Sequence, residues 1–467
     1  MTTTAKKVLA LPIFGALLGL LWLAGTTTDV LVHRVEHAFS GPTAYVFIAI
    51  IAFAAMSAFS EYFSRIIPFE AFVLAIPLGI AGSTLLSPLT ESTAALALVV
   101  NLSAAIILLQ GGLEIKFQNF RKLFLVITML SFVGLFTTAI LFTGTVLLVA
   151  KILGVAMLPH VALLLGAILA STDPAALVPL FKKWNWIDET ARDVIIAESA
   201  GTDVTGTILT LTLLAIVGTA GAAESFDVWS DGYAQILSLE VMGKIGSEML
   251  IGALVGYAGY IGLLALEKYQ QRQGYDHGVD ALLMKTIGLA SFFLAYALHG
   301  SGFLAVFVTG LLFNVTGHMK ATEHKVGDYI DALFKPAVFV TLGAIVDVGL
   351  LVQYAPIGIL AGLAFMFINR PIAVALSLLP FRAYSMLVKA TGKAQDKTSD
   401  VSNRDMLFIA SVRETGAIPA VLLLAVKATG MPGADMLVSI GTCVILTTLI
   451  IGPLYKLALA RRLKIVA

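Results

Sequence analysis

Fourteen apolar stretches, most of them long enough for a membrane-spanning helix, follow one another with only short polar connections between them. A hydrocarbon core of about 30 Å is crossed by about 20 helical residues, and a helix satisfies its own backbone polar groups there. Only 13% of the 467 residues are charged, whereas soluble domains carry about 25%. The pattern predicts an all-α polytopic membrane protein with about 14 transmembrane helices. It excludes a water-soluble protein, a disordered chain and a nucleic-acid binder.

The predicted spans are numbered in chain order, and these ordinals serve below as labels for the corresponding segments. The ninth and tenth spans are separated only by the turn 299–302. The centres of the fourteen spans lie near Leu17, Ala52, Ile76, Ala104, Leu135, Ala170, Thr205, Ala253, Ser291, Val308, Leu342, Phe367, Glu414 and Leu446.

The basic residues predict the orientation of the chain. With Lys6 and Lys7 in the cytoplasm, the inward-facing loops and the C-terminal end from Lys456 onward hold most of the 30 Lys and Arg. Such a positive-inside bias favours both termini in the cytoplasm and a cell (plasma or inner) membrane location. The first apolar run, 8–24, is long for a signal peptide, so we expect it to be retained as a helix.

An internal repeat with an offset of 240 residues links the two halves of the chain. Residues 169–171 precede Pro179 in the sixth span, and residues 409–411 precede Pro419 at the same distance in the thirteenth. Seven spans separate the copies, so the second copy is inverted in the membrane, as in many secondary transporters. The seventh and fourteenth spans match at the same offset through Ser199, Gly201, Thr202 and Val204, which correspond to Ser439, Gly441, Thr442 and Val444.

Two prolines predict interrupted helices in the sixth and thirteenth spans. Pro174 lacks an N–H and disfavours helical angles at Asp173, so we expect a break at 171–174. Pro419, with Gly416 beside the carbonyl of Thr415, predicts a second break near 413–419. Half-helix ends carry partial charges. Asp173 is therefore suited to neutralise the positive ends and Arg413 the negative ends.

Two acidic groups lie deep in the seventh span, where a lone charge is costly. Asp203 is about eleven residues into the span, close to the midplane, and Ser199 is one helical turn away on the same face. Asp203 and Ser199, together with the Asp173 carboxylate and freed carbonyls, form an all-oxygen site that suits a small hard cation. Protons compete with this cation for the Asp203 carboxylate. Glu198 is expected to pair with Arg370 of the twelfth span, because a paired charge avoids the cost of a lone one.

These residues resemble the paired signatures of the cation:proton antiporter superfamily, in its NhaP-type or sodium/hydrogen exchanger-like branch. The resemblance rests on Thr172-Asp173-Pro174-Ala175-Ala176 and on Glu198-Ser199 followed by Asp203. The glycine-containing stretch 111–114 and the positions of Arg370 and Arg413 add weaker matches.

The resemblance implies a 13-helix antiporter fold, here with one additional N-terminal helix, and two crossing broken helices. It also implies a homodimer in which a core domain moves like an elevator against a scaffold. Asp203 would bind the ion or proton, Asp173, Thr172 and Ser199 would help to coordinate it, and Glu198 would pair with Arg370. Thr202, which we also include among the expected ion- and proton-binding residues, stands where the exchanger branch has Asn, and Gln110 where NhaP-type antiporters often have Glu.

The predicted organisation has five parts. An N-terminal helix and external loop occupy 1–40, and the first scaffold or dimerisation helices occupy 41–120. The first core repeat occupies 121–220, scaffold and linking helices 235–355, and the second core repeat 356–460.

The leading hypothesis is exchange of Na⁺ or K⁺ for H⁺ across the bilayer by alternating access. Because Asp203 is a single titrating acid, the exchange is expected to be one for one and electroneutral. An intramembrane aspartyl protease using Asp173 and Asp203, or a cation channel, are the alternatives. No cofactor is expected, and the single cysteine, Cys443, excludes an intrachain disulfide.

Overall fold

The computed structural model describes residues 3–26, 42–67, 69–115, 117–172, 186–187, 189–220, 226–273, 278–313, 334–390 and 401–466. Within these ranges the chain is helical apart from turns, short extended segments and an isolated β-bridge between Trp186 and Val466. The predicted all-α class is therefore confirmed for the described part of the chain.

Each predicted span corresponds to one or more helices. The first half of the chain contains Thr3–Thr26, Pro42–Ser64, Ala71–Ala81, Ser83–Thr90, Thr93–Glu114, Phe117–Met129, Leu135–Ile152, Pro159–Leu169 and Thr190–Ala220. The second half contains Ala234–Ile236, Leu239–Gln273, Gly278–Ala297, Gly302–Phe313, Phe334–Ile345, Val348–Ala364, Arg370–Ala390, Asn403–Ser411, Ala417–Ala428 and Ala434–Arg462. Three π-helical turns, Leu130–Gly134, Val228–Tyr233 and Phe365–Asn369, adjoin these helices.

Among the described residues, seven helices are long and apolar enough to cross a membrane, or eight if a bent pair counts as one span. A further six apolar helices are shorter, including Pro159–Leu169 and Ala417–Ala428. The chain is thus a multi-pass membrane protein, while the count of 14 crossings stays a prediction.

The third span is bent, which the sequence analysis does not anticipate. Its two helices, Ala71–Ala81 and Ser83–Thr90, meet at an angle of 91°. Gly82 lies at the junction, and a Cβ atom there would sit 2.1 Å from the Met56 Cε atom. The absence of a side chain at Gly82 therefore leaves room for the Met56 side chain of the second span to pack against the bend.

The helix of the sixth span ends within its predicted span, and the helix of the thirteenth span is interrupted. The helix of the sixth span ends at Leu169, and Ser171 and Thr172 are not helical. Asp173 and Pro174 lie outside the described residues. In the thirteenth span, 412–416 are non-helical, and a new helix begins at Ala417. Pro419 is the third residue of that helix, where its missing N–H costs little, so the break falls before the proline rather than at it.

The long helices differ strongly in burial. In the most apolar part of the fourteenth span 72% of the residues are buried, and in the seventh span 61%, against 28% in the eighth. Both interrupted spans contact the seventh and fourteenth spans. The sixth-span helix and the interrupted thirteenth span therefore pack against the two most buried long helices of the described chain.

Candidate ion-binding site

The seventh span presents four polar side chains towards the end of the sixth-span helix. Glu198, Ser199, Thr202 and Asp203 are all buried, with exposures of 0%, 5%, 1% and 7%. They form two adjacent pairs that are four residues apart, so all four side chains share one broad face of the helix. A buried polar face of this kind requires partners in the neighbouring elements.

The unwound backbone of Thr172 supplies two of these partners. The Ser199 hydroxyl donates to the Thr172 carbonyl at 2.8 Å, and the Thr172 N–H donates to the Thr202 hydroxyl oxygen at 3.2 Å. Because Thr172 follows the end of its helix, its backbone groups lack helical partners. The seventh span thus satisfies backbone groups just after the end of the sixth-span helix.

The Asp203 carboxylate lies beside the same interruption. Its Oδ1 atom accepts a hydrogen bond from the Ser171 hydroxyl at 2.6 Å. Ser171 belongs to the predicted break 171–174 but is not among the predicted site residues. Asp173, the second predicted carboxylate, lies outside the described residues, and its role stays a prediction.

Glu198 and Arg370 form a buried bidentate ion pair. Arg370 Nη1 and Nη2 lie 2.8 and 2.7 Å from Glu198 Oε1 and Oε2, and the two side chains are 2% and 0% exposed. Arg370 follows the π-helical turn Phe365–Asn369. Pro371 lacks an N–H, so the regular helical ladder is broken at this point and the wider turn is accommodated.

Arg413 connects the two interrupted spans. It lies within the 412–416 break and is fully buried. Its Nη1 atom donates to the Thr172 hydroxyl at 2.8 Å, and its Nη2 atom donates to the carbonyl of Leu169, the last residue of the sixth-span helix. Its guanidinium also stacks over the Phe365 ring at 4.1 Å. A cation at a helix C-terminus offsets the partial negative charge there.

The Thr172 hydroxyl joins these charged groups into one network. It accepts from Arg413 and donates to Glu198 Oε1 at 3.3 Å, while Glu198 in turn binds Arg370. The network therefore links the end of the sixth-span helix to two arginines, both of which belong to the second predicted core repeat. Asp203 accepts a hydrogen bond from the neutral hydroxyl of Ser171, the residue directly before Thr172.

The side chains of Ser171, Ser199, Thr202 and Asp203 offer hydroxyl and carboxylate oxygens at the end of the sixth-span helix. Oxygen ligands suit hard cations, and a carboxylate also binds a proton. In the described part of the chain, no three His, Cys, Asp or Glu residues come together as a metal-binding group. The arrangement offers one carboxylate for either a weakly held cation or a proton.

One basic residue of the predicted cytoplasmic C-terminal end is buried inside the protein. Lys456 is fully buried in the fourteenth-span helix and forms an ion pair with the equally buried Glu414. Two signals could have indicated this burial. Lys456 lies four residues after Gly452, and it lies six residues before the end of the helix at Arg462.

The matched hydroxyls of the internal repeat also differ in their contacts. Ser199 and Thr202 bind the sixth span, whereas the Ser439 and Thr442 hydroxyls have no hydrogen-bond partner among the described residues. Asp203 itself corresponds to Cys443. Among these matched hydroxyls, therefore, those of the first copy form hydrogen bonds at the end of the sixth-span helix, whereas those of the second copy form none within the described residues.

Comparison with known proteins identifies the family and the fold of the chain. The family described as "Sodium/hydrogen exchanger, transmembrane" matches residues 49–459. A solved structure of the sodium proton antiporter MjNhaP1 from Methanocaldococcus jannaschii superimposes with a TM-score of 0.65 at 19% identity, covering 88% of this chain and 98% of that one. The fold is that of the membrane-embedded cation:proton antiporters. The chain belongs to the sodium/hydrogen exchanger family.

Curated relatives support the NhaP-type branch. A K⁺/H⁺ antiporter NhaP2 from Shewanella sp. (strain MR-4) is 26% identical over 358 residues, which are 76% of this chain and 55% of that protein. A probable Na⁺/H⁺ antiporter 2 from Methanocaldococcus jannaschii is 31% identical over 234 residues, 46% of this chain and 49% of that one. The chain thus spans about half the length of the curated relatives it matches.

Proposed function

We propose that the chain is a secondary active transporter, not an enzyme, that exchanges Na⁺ or K⁺ for H⁺ through Asp203. The observation that carries this proposal is the buried Asp203 carboxylate, hydrogen-bonded to Ser171 where the sixth-span helix ends. The relatives named as K⁺/H⁺ and Na⁺/H⁺ antiporters support cations and protons as the substrates. No cofactor is needed, because the gradient of one ion drives the other.

The exchange follows from competition for one carboxylate. When Asp203 is ionised, it binds a monovalent cation together with oxygens of Ser199, Thr172 and Thr202. When it is protonated, its charge is lost and the cation leaves. Asp173 directly follows Thr172 in the sequence and is our proposed second ligand. Glu198 and Arg370 neutralise each other and hold the site in place rather than binding the ion.

Transport then requires the site to open to each side of the membrane in turn. We assign this movement to the two core repeats, 121–220 and 356–460, against the scaffold segments 41–120 and 235–355. Supporting this division, the seventh and fourteenth spans are far more buried than the eighth. The same proposal includes a homodimer in the inner membrane, with both termini in the cytoplasm and 1–40 as an additional N-terminal segment.

We expect the exchange to be electroneutral. One cation replaces one proton at Asp203, and the other charges of the site are fixed in pairs or on Arg413. The measurement uses proteoliposomes containing a pH-sensitive dye and the same vesicles on a solid-supported membrane. Concentration jumps of Na⁺, K⁺ and Li⁺ should change the internal pH without net charge displacement.

A current that grows with the proton signal would contradict one-for-one exchange. A current without any proton gradient would instead indicate a cation channel. Loss of a membrane-embedded substrate by cleavage, with no ion movement, would indicate the protease alternative. Vesicles without protein provide the background for each of these measurements.

A further inference from the structure

One face of the fourteenth-span helix follows the interruption of the thirteenth span. The residues on this face are Thr448, Gly452, Tyr455 and Lys456, and their spacing of four, three and one places them on one side of the helix. Opposite them lie Ser411 and the break 412–416. This face, the fourteenth-span cradle, contacts the break at several successive points.

Hydrogen bonds join the cradle to both ends of the break. The Tyr455 hydroxyl donates to the Ser411 carbonyl at 2.9 Å. The Thr415 N–H donates to the Thr448 hydroxyl oxygen at 3.2 Å, and the two threonine hydroxyls are 2.9 Å apart. Backbone groups freed by the interruption are thereby satisfied by the neighbouring helix.

Between these hydrogen bonds lies the Glu414–Lys456 ion pair. Both side chains are fully buried. A Cβ atom at position 452 would lie 2.2 Å from Glu414 Oε1, so a side chain there would displace the carboxylate from this position. Gly452 and Lys456, one helical turn apart, together hold the Glu414 carboxylate on the cradle.

Arg413 precedes Glu414 directly and extends in another direction. In a non-helical segment neighbouring side chains point to different sides of the backbone. Glu414 reaches the fourteenth span, while Arg413 reaches Thr172 and Leu169 of the sixth. Any displacement of the backbone at Glu414 therefore moves the guanidinium that binds Thr172.

We propose that Glu414 and Lys456 are a positioning pair that holds Arg413 against Thr172 and thereby sets the cation affinity of the Asp203 site. This inference rests on the proposed exchange at Asp203. The pair itself is a weak source of stability, because a buried ion pair must offset the desolvation of both ions. Neither Glu414 oxygen nor Lys456 Nζ has a hydrogen-bond partner among the described residues beyond this ionic contact.

The first test removes both charges together with the Glu414→Gln/Lys456→Met double variant. The side-chain volumes are nearly kept and no lone charge remains, so the full-length protein is expected to fold with an unchanged melting temperature. In proteoliposomes its apparent KM for the cation should rise by about 10-fold or more, as for other residues that orient ligands, with a smaller change in maximal rate. A purely structural pair would lower the yield of active protein and leave KM unchanged.

A matched control is available on the same two helices. Lys427 and Asp435 form an ion pair between the second half of the thirteenth span and the fourteenth span, but both are partly exposed. The Lys427→Met/Asp435→Asn double variant should keep the wild-type KM. An equal rise in KM in this control would overturn the assignment to Glu414 and Lys456.

A second variant tests the geometry without altering any charge. Gly452→Ala should displace the flexible Glu414 carboxylate and raise the apparent KM in the same direction. If wild-type vesicles exchange ions and Gly452→Ala keeps the wild-type KM, the positioning role is refuted, even where the double variant fails to fold. If wild-type vesicles show no exchange at all, the proposed function fails instead, so the two failures are distinguishable.

Discussion

Replacing Asp203 with asparagine is expected to reduce cation-driven proton movement to the rate of protein-free vesicles, a loss of about 100-fold or more. Asparagine has nearly the same shape and can still accept the hydrogen bond from Ser171. It cannot carry a negative charge or bind a proton reversibly. The measurement is the dye response of proteoliposomes to a cation jump, with the amount of folded protein verified by gel filtration.

The control makes the same chemical change elsewhere on the same helix. Asp193 lies in the first turn of the seventh-span helix and pairs with the adjacent Arg192 at 2.9 Å. Asp193→Asn should retain exchange close to the wild-type rate. Exchange retained by Asp203→Asn, or lost equally in both variants, would contradict the special role of Asp203.

The second large effect concerns the Glu198–Arg370 pair. Glu198→Gln or Arg370→Met should each destabilise the protein by about 3–5 kcal/mol, because the remaining partner becomes a lone buried charge. The double variant should recover most of that loss, since no charge is left unpaired. Thermal unfolding in detergent, followed by tryptophan fluorescence, measures all three variants.

An exposed ion pair provides the comparison for this series. Arg65 and Glu61 are 3.4 Å apart, with 73% and 30% of their side chains exposed. Because water screens such a pair, its removal should change stability by less than about 1 kcal/mol. If the Glu198 and Arg370 single variants melted as the Arg65→Met control does, the buried pair would have no structural importance.

Features that depend on local chemistry could be predicted from the sequence. Apolar stretches define the helices, and Pro419 with Gly416 indicates an interruption because a proline cannot continue a helix from the preceding turn. The partnership of Glu198 with Arg370 also follows, since two deeply buried opposite charges need each other.

Features that depend on the rotation and register of distant helices could not be predicted. Lys456 follows an apolar stretch and precedes Arg461 and Arg462, so by sequence alone it belongs to a cytoplasmic end. Its burial depends on how far the fourteenth-span helix extends and on Glu414 lying opposite. The hydrogen bond from Ser171 to Asp203 joins two spans whose relative rotation no local pattern specifies.

The most direct test of whether a cation and a proton share the Asp203 site is to count the protons released when a cation binds to the purified protein. Titration calorimetry with NaCl or KCl in buffers of different ionisation enthalpy gives this number. The account predicts about one proton released per cation bound by the wild-type protein, at a pH where the Asp203 carboxyl is protonated, and none by Asp203→Asn. Cation binding without proton release at any pH, or equal release by Asp203→Asn, would contradict the central claim.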